Sequence, residues 1–325
     1  MLLLLFVLSV FAVARSPIDV SEQSRPLCYS NAMFLGSHST LSVFNPDYMM
    51  LSVSSLALSP FGSTVPLEIQ RVLGTATAGQ VIVQVQADMF YPISYIYRIS
   101  AANLTAMQVL SEVPIDFTPL TTPLFDYMSE GQQEYLVAID GFAQLKLMQF
   151  QGGALVLVQT IATIGAASFQ PYSLSVHQDT LVVGDLANGL LVFSLANGAL
   201  SLEQTLPTPS PANSVYILNT TAWAGTDEGV LEFERNSQGQ FVQLDLQYPL
   251  RKAGLYPYYV TASEDYVGFV QYSSASNSYI TIYPRFSTTP VLTYSARFAP
   301  FIIVAQTVYQ ADKSKIKSRT LSPLS

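Results

Sequence analysis

The chain has 325 residues, of which half are hydrophobic and 11% are Asp, Glu, Lys or Arg, against roughly 25% charged residues in a typical soluble domain. The apolar content suffices for one large all-β domain or two ordinary ones. The formal charge of −8 argues against the clustered cations that nucleic-acid binding requires, and no internal apolar run approaches the ~20 residues of a spanning helix.

Met1–Ala14, "MLLLLFVLSVFAVA", is uninterrupted apolar sequence ending in Ala12-Val13-Ala14 and followed by Arg15. This pattern predicts a signal peptide over 1–14, cleaved before Arg15, and a secreted or lumenal protein with no other membrane segment. An uncleaved anchor or a buried N-terminal strand is the alternative. Cys28 is the single cysteine, so its thiol is expected to be buried or paired with another chain. Sequons at Asn103 and Asn219 then become candidate glycosylation sites.

From there on, helical periodicity is nearly absent. Short runs of Val, Ile, Leu, Tyr and Phe alternate with Gly, Asn, Ser, Asp and Pro, the pattern of strands joined by hairpins. Strands are predicted at 134–140, 145–150 and 155–161, then at 171–178, 180–185, 190–195 and 199–206. A further set falls at 211–219, 222–227, 230–235 and 241–246, and another at 257–263, 266–272, 279–284 and 291–296. A proline opens each first strand, at Pro26, Pro66, Pro123, Pro171, Pro211, Pro257 and Pro300, where a missing donor is tolerated. Leu136, Leu181, Trp223 and Val267 serve as second-strand anchors spaced 45, 42 and 44 residues apart. The repeated Leu-Ala-Asn-Gly at 186–189 and 195–198 predicts two positive-φ hairpin turns at its Asn-Gly pairs.

"TLVVGDLANGLLVFSL", and less closely "YLVAIDGFAQLKLMQF" and "AWAGTDEGVLEFER", resemble the propeller repeats of the LVIVD and WD40-like groups. The resemblance covers residues 123–300. With a period near 40–45 residues it implies a β-propeller of four-stranded antiparallel blades. Seven blades are expected, with six the alternative, in a single domain over 15–310. Residues 311–325 carry a net +3, leaving −11 on 15–310, and are expected to form a disordered, solvated tail.

Candidate chemistry is sparse. Asp140, Asp185 and Asp227 occupy matching places; a shared cation site is conceivable, but the spacing lacks a Ca²⁺ loop and the expected role is to hold turn backbone. His38 and His177 are the two histidines. His177 is expected to face a central channel. No phosphate loop or nucleophile elbow occurs, so no catalytic, metal or cofactor residue is assigned. Tyr91, Tyr95, Tyr97, Tyr256, Tyr258 and Tyr259 are the candidate binding surface, a joint aromatic rim patch, with blade packing as the competing role. The expected function is a secreted protein- or glycan-binding scaffold. The alternative is a lactonase-like hydrolase with its active site at the channel, which requires three or more polar side chains to converge on one point.

Overall fold

The computed structural model describes residues 8–9, 27–29, 33–37, 40–44, 52–58, 67–75, 80–87, 93–100, 103, 105–116, 124–140, 143–164, 169–251, 255–272, 278–295, 301–304, 306–312 and 315–321. Among them every regular element is a strand, and no helix is long and apolar enough to cross a membrane. The first sheet strings together β1 (Leu8–Ser9), β2 (Leu27–Tyr29), β3 (Met33–Ser37), β4 (Thr40–Phe44) and β5 (Ser52–Ala57). The second holds β6 (Leu67–Gly74), β7 (Gln80–Ala87), β8 (Ile93–Ser100) and β9 (Gln108–Asp116). A third contains β10 (Leu124–Glu130), β11 (Gln133–Ile139), β12 (Leu145–Gln151) and β13 (Ala154–Ile161). The fourth contains β14 (Pro171–His177), β15 (Thr180–Asp185), β16 (Gly189–Ala196) and β17 (Ala199–Leu206). Next come β18 (Ser214–Leu218), β19 (Thr221–Thr226), β20 (Gly229–Arg235) and β21 (Phe241–Pro249), then β22 (Tyr256–Ala262), β23 (Tyr266–Tyr272), β24 (Ser278–Pro284) and β25 (Leu292–Ser295). The last sheet is β26 (Phe301–Val304), β27 (Thr307–Asp312) and β28 (Lys315–Thr320). Neighbouring strands pair antiparallel in sequence order wherever their register is defined.

The expected count of seven four-stranded blades is overturned. Among the described residues six sheets have four or more strands, whereas the seventh has three, so the chain forms six blades. Most of the prolines mark first strands (Pro26 instead precedes β2, the second strand of its sheet), and a first strand alone does not make a blade. "FIIV" at β26 pairs with its own hairpin partner β27, and residues 15–25 lie outside the described residues. At the ends of the chain, Leu8–Ser9 pairs with Cys28–Tyr29, and Lys315–Thr320, within the segment expected as a tail, is a strand paired along Thr307–Asp312.

Contacts divide the chain into two compact units. One comprises Met1–Thr122, Gly152–Ala154 and Ala299–Thr320, the other Pro123–Gln151, Leu155–Phe298 and Leu321–Ser325. In the first unit β2 packs beside β6 and β26, and one apolar cluster joins Leu41 and Val43 of β4 to Val81, Val83 and Val85 of β7. In the second unit the first strands β10, β14, β18 and β22 are successive neighbours. Second strands β15 and β19 are buried at every position, as sheets covered on both faces demand. Fourth strands such as β17 are largely exposed.

Three kinds of clamp recur between adjacent sheets of this second unit. On the first strands, Asp126 Oδ2 accepts the Val176 amide at 2.9 Å, Ser175 Oγ accepts the Ile217 amide at 3.3 Å, and Ser214 Oγ donates to the Pro257 carbonyl at 3.1 Å. On the fourth strands a glutamine amide imitates a further strand. Gln159 donates to the Leu200 carbonyl and accepts its amide, at 3.0 and 2.7 Å; Gln204 does the same to Phe241, at 2.7 and 2.9 Å. Finally, Arg235 Nη2 donates to Thr180 Oγ1 at 3.0 Å, and Arg285 Nη2 to Thr221 Oγ1 at 2.9 Å. The sheets approach so closely that a Cβ on Gly184 would lie 2.5 Å from the Ala212 carbonyl, and one on Gly225 would lie 2.8 Å from Pro257 Cβ.

Equivalent hairpins end in His177–Thr180 and Leu218–Thr221, which sets a 41-residue register between those two sheets. Leu181 therefore corresponds to Ala222 and Val182 to Trp223. The sequence anchors Leu181 and Trp223 are one position out of register, which places them on opposite faces.

Replacing Gln204 with Ala is expected to destabilise the chain by about 1–3 kcal/mol, because Phe241 loses both partners at once. The exposed Gln243→Ala control should stay within about 0.5 kcal/mol in chemical denaturation.

Candidate functional site

The fifth sheet departs from its neighbour at one cross-strand pair. Val182 faces Val192 across β15 and β16; the corresponding residues in β19 and β20 are Trp223 and Glu232. Val182 and Val192 show that an apolar pair is compatible with this position. Glu232 nevertheless puts a carboxylate there with no solvent exposure, which is costly unless ion pairing and hydrogen bonds compensate.

Compensation is extensive. Arg285 Nε donates to Glu232 Oε1 at 2.7 Å. Trp223 Nε1 donates to Oε2 at 3.1 Å, and the Tyr248 hydroxyl donates to the same oxygen at 2.5 Å. Burial and the Glu232 hydrogen bond push the Tyr248 phenol far above its ordinary range, so it remains a donor. Tyr248 packs at 5.6 Å from Tyr283, which stacks on Phe269, and the Tyr283 hydroxyl donates to the Pro249 carbonyl at 2.7 Å.

The network ends at the surface. Arg285 follows β24, and its amide donates to the Asp265 carbonyl at 2.7 Å. The next amide, that of Phe286, donates to the Tyr248 hydroxyl oxygen at 3.3 Å. Phe286 has φ +65°, a conformation disfavoured for a bulky residue, yet its side chain is 63% exposed. The Arg285 guanidinium lies 4.7 Å from the ring centre. Thus a buried ion pair and a buried phenol hold a strained turn that presents an aromatic ring to solvent. No motif in the sequence singled out Glu232, Arg285 or Phe286; the signal available was the Glu inside "VLEFER", where the preceding repeat reads "LLVFSL".

The sequence-selected aromatics behave differently. Tyr97 is buried and belongs to the apolar cluster of the first unit, with Tyr95 packed against it. Tyr91 lies outside the described residues. In the second unit, β22 carries Tyr256, Tyr258 and Tyr259; Tyr259 is half-buried and the other two side chains lie outside the described set. Cys28 is in β2 with its side chain likewise outside that set, and so is all of His38.

Asp185 fills the turn role expected of it. Its Oδ1 accepts the Ala187 and Asn188 amides and the Asn188 side chain, each at 2.8 Å, while Oδ2 accepts the Gln170 amide at 2.7 Å. Asp140 Oδ1 accepts the Gln144 amide at 2.9 Å, and Oδ2 meets Lys146 Nζ at 2.8 Å. Exposed Asp227 accepts from Asn213 Nδ2 at 3.0 Å. The two Leu-Ala-Asn-Gly copies diverge. In the second, Asn197 and Gly198 both have positive φ, and their amides donate to the two Glu130 carboxylate oxygens at 2.8 Å each. In the first, Gly189 alone is positive and Asn188 is turned onto Asp185.

His177 closes β14 in a half-buried position, its Nε2 buried without a hydrogen-bond partner. Burial lowers its pKa, and the nearby Asp179 charge opposes this. Among the described residues, no three His, Cys, Asp or Glu side chains gather as a metal ion would require. Asn103 is exposed, and its Oδ1 accepts the Thr105 amide and hydroxyl at 3.1 and 2.7 Å. Asn219, also exposed, sits in the β18–β19 turn with φ +53°.

No family model matches the sequence, and no curated protein matches it. Solved structures do resemble it in three dimensions. The Myceliophteria thermophila Cps50 (Swd1) β-propeller domain superposes with a TM-score of 0.67 at 10% identity, covering 90% of this chain and 94% of that one. The fold is a β-propeller. A computationally designed protein, Ika8, is similar with a TM-score of 0.52 at 12% identity over 96% of each chain. At such identities the likeness concerns the fold, and function has to be argued from the residues of this propeller.

Two measurements probe the site. Glu232→Ala should cost about 3–5 kcal/mol in urea unfolding, since Arg285 loses its buried counter-charge, whereas Phe286→Gly should leave the chain at least as stable, by relieving the positive-φ strain. For His177, a folded pKa below the unfolded value means that the unfolded chain binds more protons between the two. Stability should therefore rise with pH until it levels off above the ordinary imidazole pKa of about 6.5, and His177→Asn should flatten that rise in unfolding titrations.

Proposed function

We propose that this β-propeller is a protein-interaction scaffold and that the turn at Phe286 is its docking point. The observation that carries the reading is the combination, in one residue, of a positive φ and a largely exposed aromatic ring. Strain of this kind persists where surrounding structure over-determines it, and it concentrates at functional positions. Aromatic residues held rigidly at a surface make effective interface anchors because little side-chain entropy is lost on binding. A protein partner fits better than a glycan, since the Arg285 guanidinium already lies over the ring. Much of the polar inventory of the second unit is committed to turns and sheet-to-sheet clamps, which supports a scaffold over a hydrolase. We further propose entry into the secretory pathway, supported by the apolar Met1–Ala14 segment with its Ala-Val-Ala ending and by the exposed sequon at Asn103.

The test of docking is comparative affinity capture with wild type, Phe286→Ala and Phe286→Gly, each shown to unfold cooperatively. A scaffold of this kind should retain at least one partner that both variants lose by about tenfold or more; equal recovery from all three would refute docking at this turn. Secretion from eukaryotic cells should yield chains beginning at Arg15, and intact Met1 on the product would contradict the proposed processing.

A further inference from the structure

The surroundings of Phe286 specify more than an apolar contact. Val291, in the same β24–β25 connection, is 42% exposed and adds aliphatic surface. Exposed carboxylates of the β22–β23 connection and of strand β20 are tied to Arg285, the residue before Phe286. Asp265 is joined to Arg285 through its backbone at 2.7 Å, and both Glu264 and Asp265 are exposed. Glu234, 45% exposed, stands 3.9 Å from Arg285 Nη2, well beyond the length of a close charge-assisted hydrogen bond. Arg285 is already engaged, because it donates to Glu232 and Thr221. The side chains of Glu232, Glu234, Glu264, Asp265 and Arg285 together sum to a charge of −3.

An apolar platform whose adjoining Arg285 is tied to exposed carboxylates suits a side chain with a long aliphatic stem and a cationic end. Lysine and arginine lay their methylene groups along apolar surface while the charged head seeks polar partners. An acidic or strongly hydrophobic partner would gain from the ring and lose against the carboxylates. We infer that Phe286 docks a basic segment of a partner protein, with a Lys or Arg stem against the ring and its head toward Glu264 and Asp265. This inference rests on the docking role assigned to the turn and adds the partner's chemistry.

The experiment uses the full chain and three sets of fluorescent synthetic peptides, Lys/Arg-rich, Asp/Glu-rich and uncharged apolar, matched in length. The Lys/Arg-rich set should bind wild type and weaken as salt is raised. Phe286→Ala should weaken that binding about tenfold, and the Glu264→Gln/Asp265→Asn pair several-fold. Asp227→Asn should leave it unchanged, and unfolding curves confirm that every variant folds. Preference for the acidic or apolar peptides, still lost with Phe286→Ala, would overturn the basic-partner inference and leave the docking role standing. Basic-peptide binding that is indifferent to Phe286→Ala would overturn both, and failure of the basic set to bind wild type would overturn the inference.

Discussion

The surface turn at Phe286 depends on a carboxylate that water does not reach. Glu232 occupies a position that the preceding sheet fills with valine, so the fold itself has no need of a charge there. Once the carboxylate is present, its surroundings are constrained. Desolvation demands a counter-charge and hydrogen-bond donors, and Arg285, Trp223 and Tyr248 supply them from three different strands or turns. Fully satisfied buried networks of this kind contribute rigidity and a unique geometry more than net stability. Here the rigidity is transmitted a short distance. The phenol that donates to Glu232 accepts the Phe286 amide, and the guanidinium that neutralises Glu232 lies over the Phe286 ring.

The rest of the second unit shows how ordinary sheet contacts are made. An Arg-to-Thr bond, a two-point glutamine bond and a first-strand side-chain bond each recur between successive sheets. The glutamines also address an edge-strand problem. An outermost strand leaves amides and carbonyls unpaired, and the carboxamide of Gln159 or Gln204 offers one donor and one acceptor at the spacing of a backbone pair. Arg285 makes the recurrent bond to Thr221, as Arg235 does to Thr180, and additionally serves Glu232. The functional candidate is thus an elaboration of a repeated structural contact.

Much of this architecture was legible in the residue order. "TLVVGD" and "ALSLEQTL" lie on β15 and β17 as predicted, because period-two patterning and turn residues are local properties. The turn role of Asp185 was readable for the same reason, since its partners sit within a few residues or across one hairpin. Blade number was not. The prolines fall at or near the starts of strands, but completing a blade requires four strands to pair, and among the described residues after Pro300 three do. For Tyr97 the residue order left two roles open, rim contact or packing, and the structure puts it in packing, since β8 is covered by apolar side chains on the face that Tyr97 occupies.

By itself, then, the sequence determined an all-β chain of short antiparallel strands, the places of most turns and the propeller class of the repeats, all consequences of local patterning. Tertiary structure decided what covers each strand face, and with it the meaning of individual residues. Glu232 in "VLEFER" reads as a solvent-facing member of an alternating strand until Arg285, 53 residues away, is brought against it. Phe286 is one of 18 phenylalanines until the fold buries its neighbours and leaves its ring outside. Alternation specifies that successive side chains point to opposite faces; which face meets another sheet, and which meets water, is decided by contacts between residues far apart in the chain.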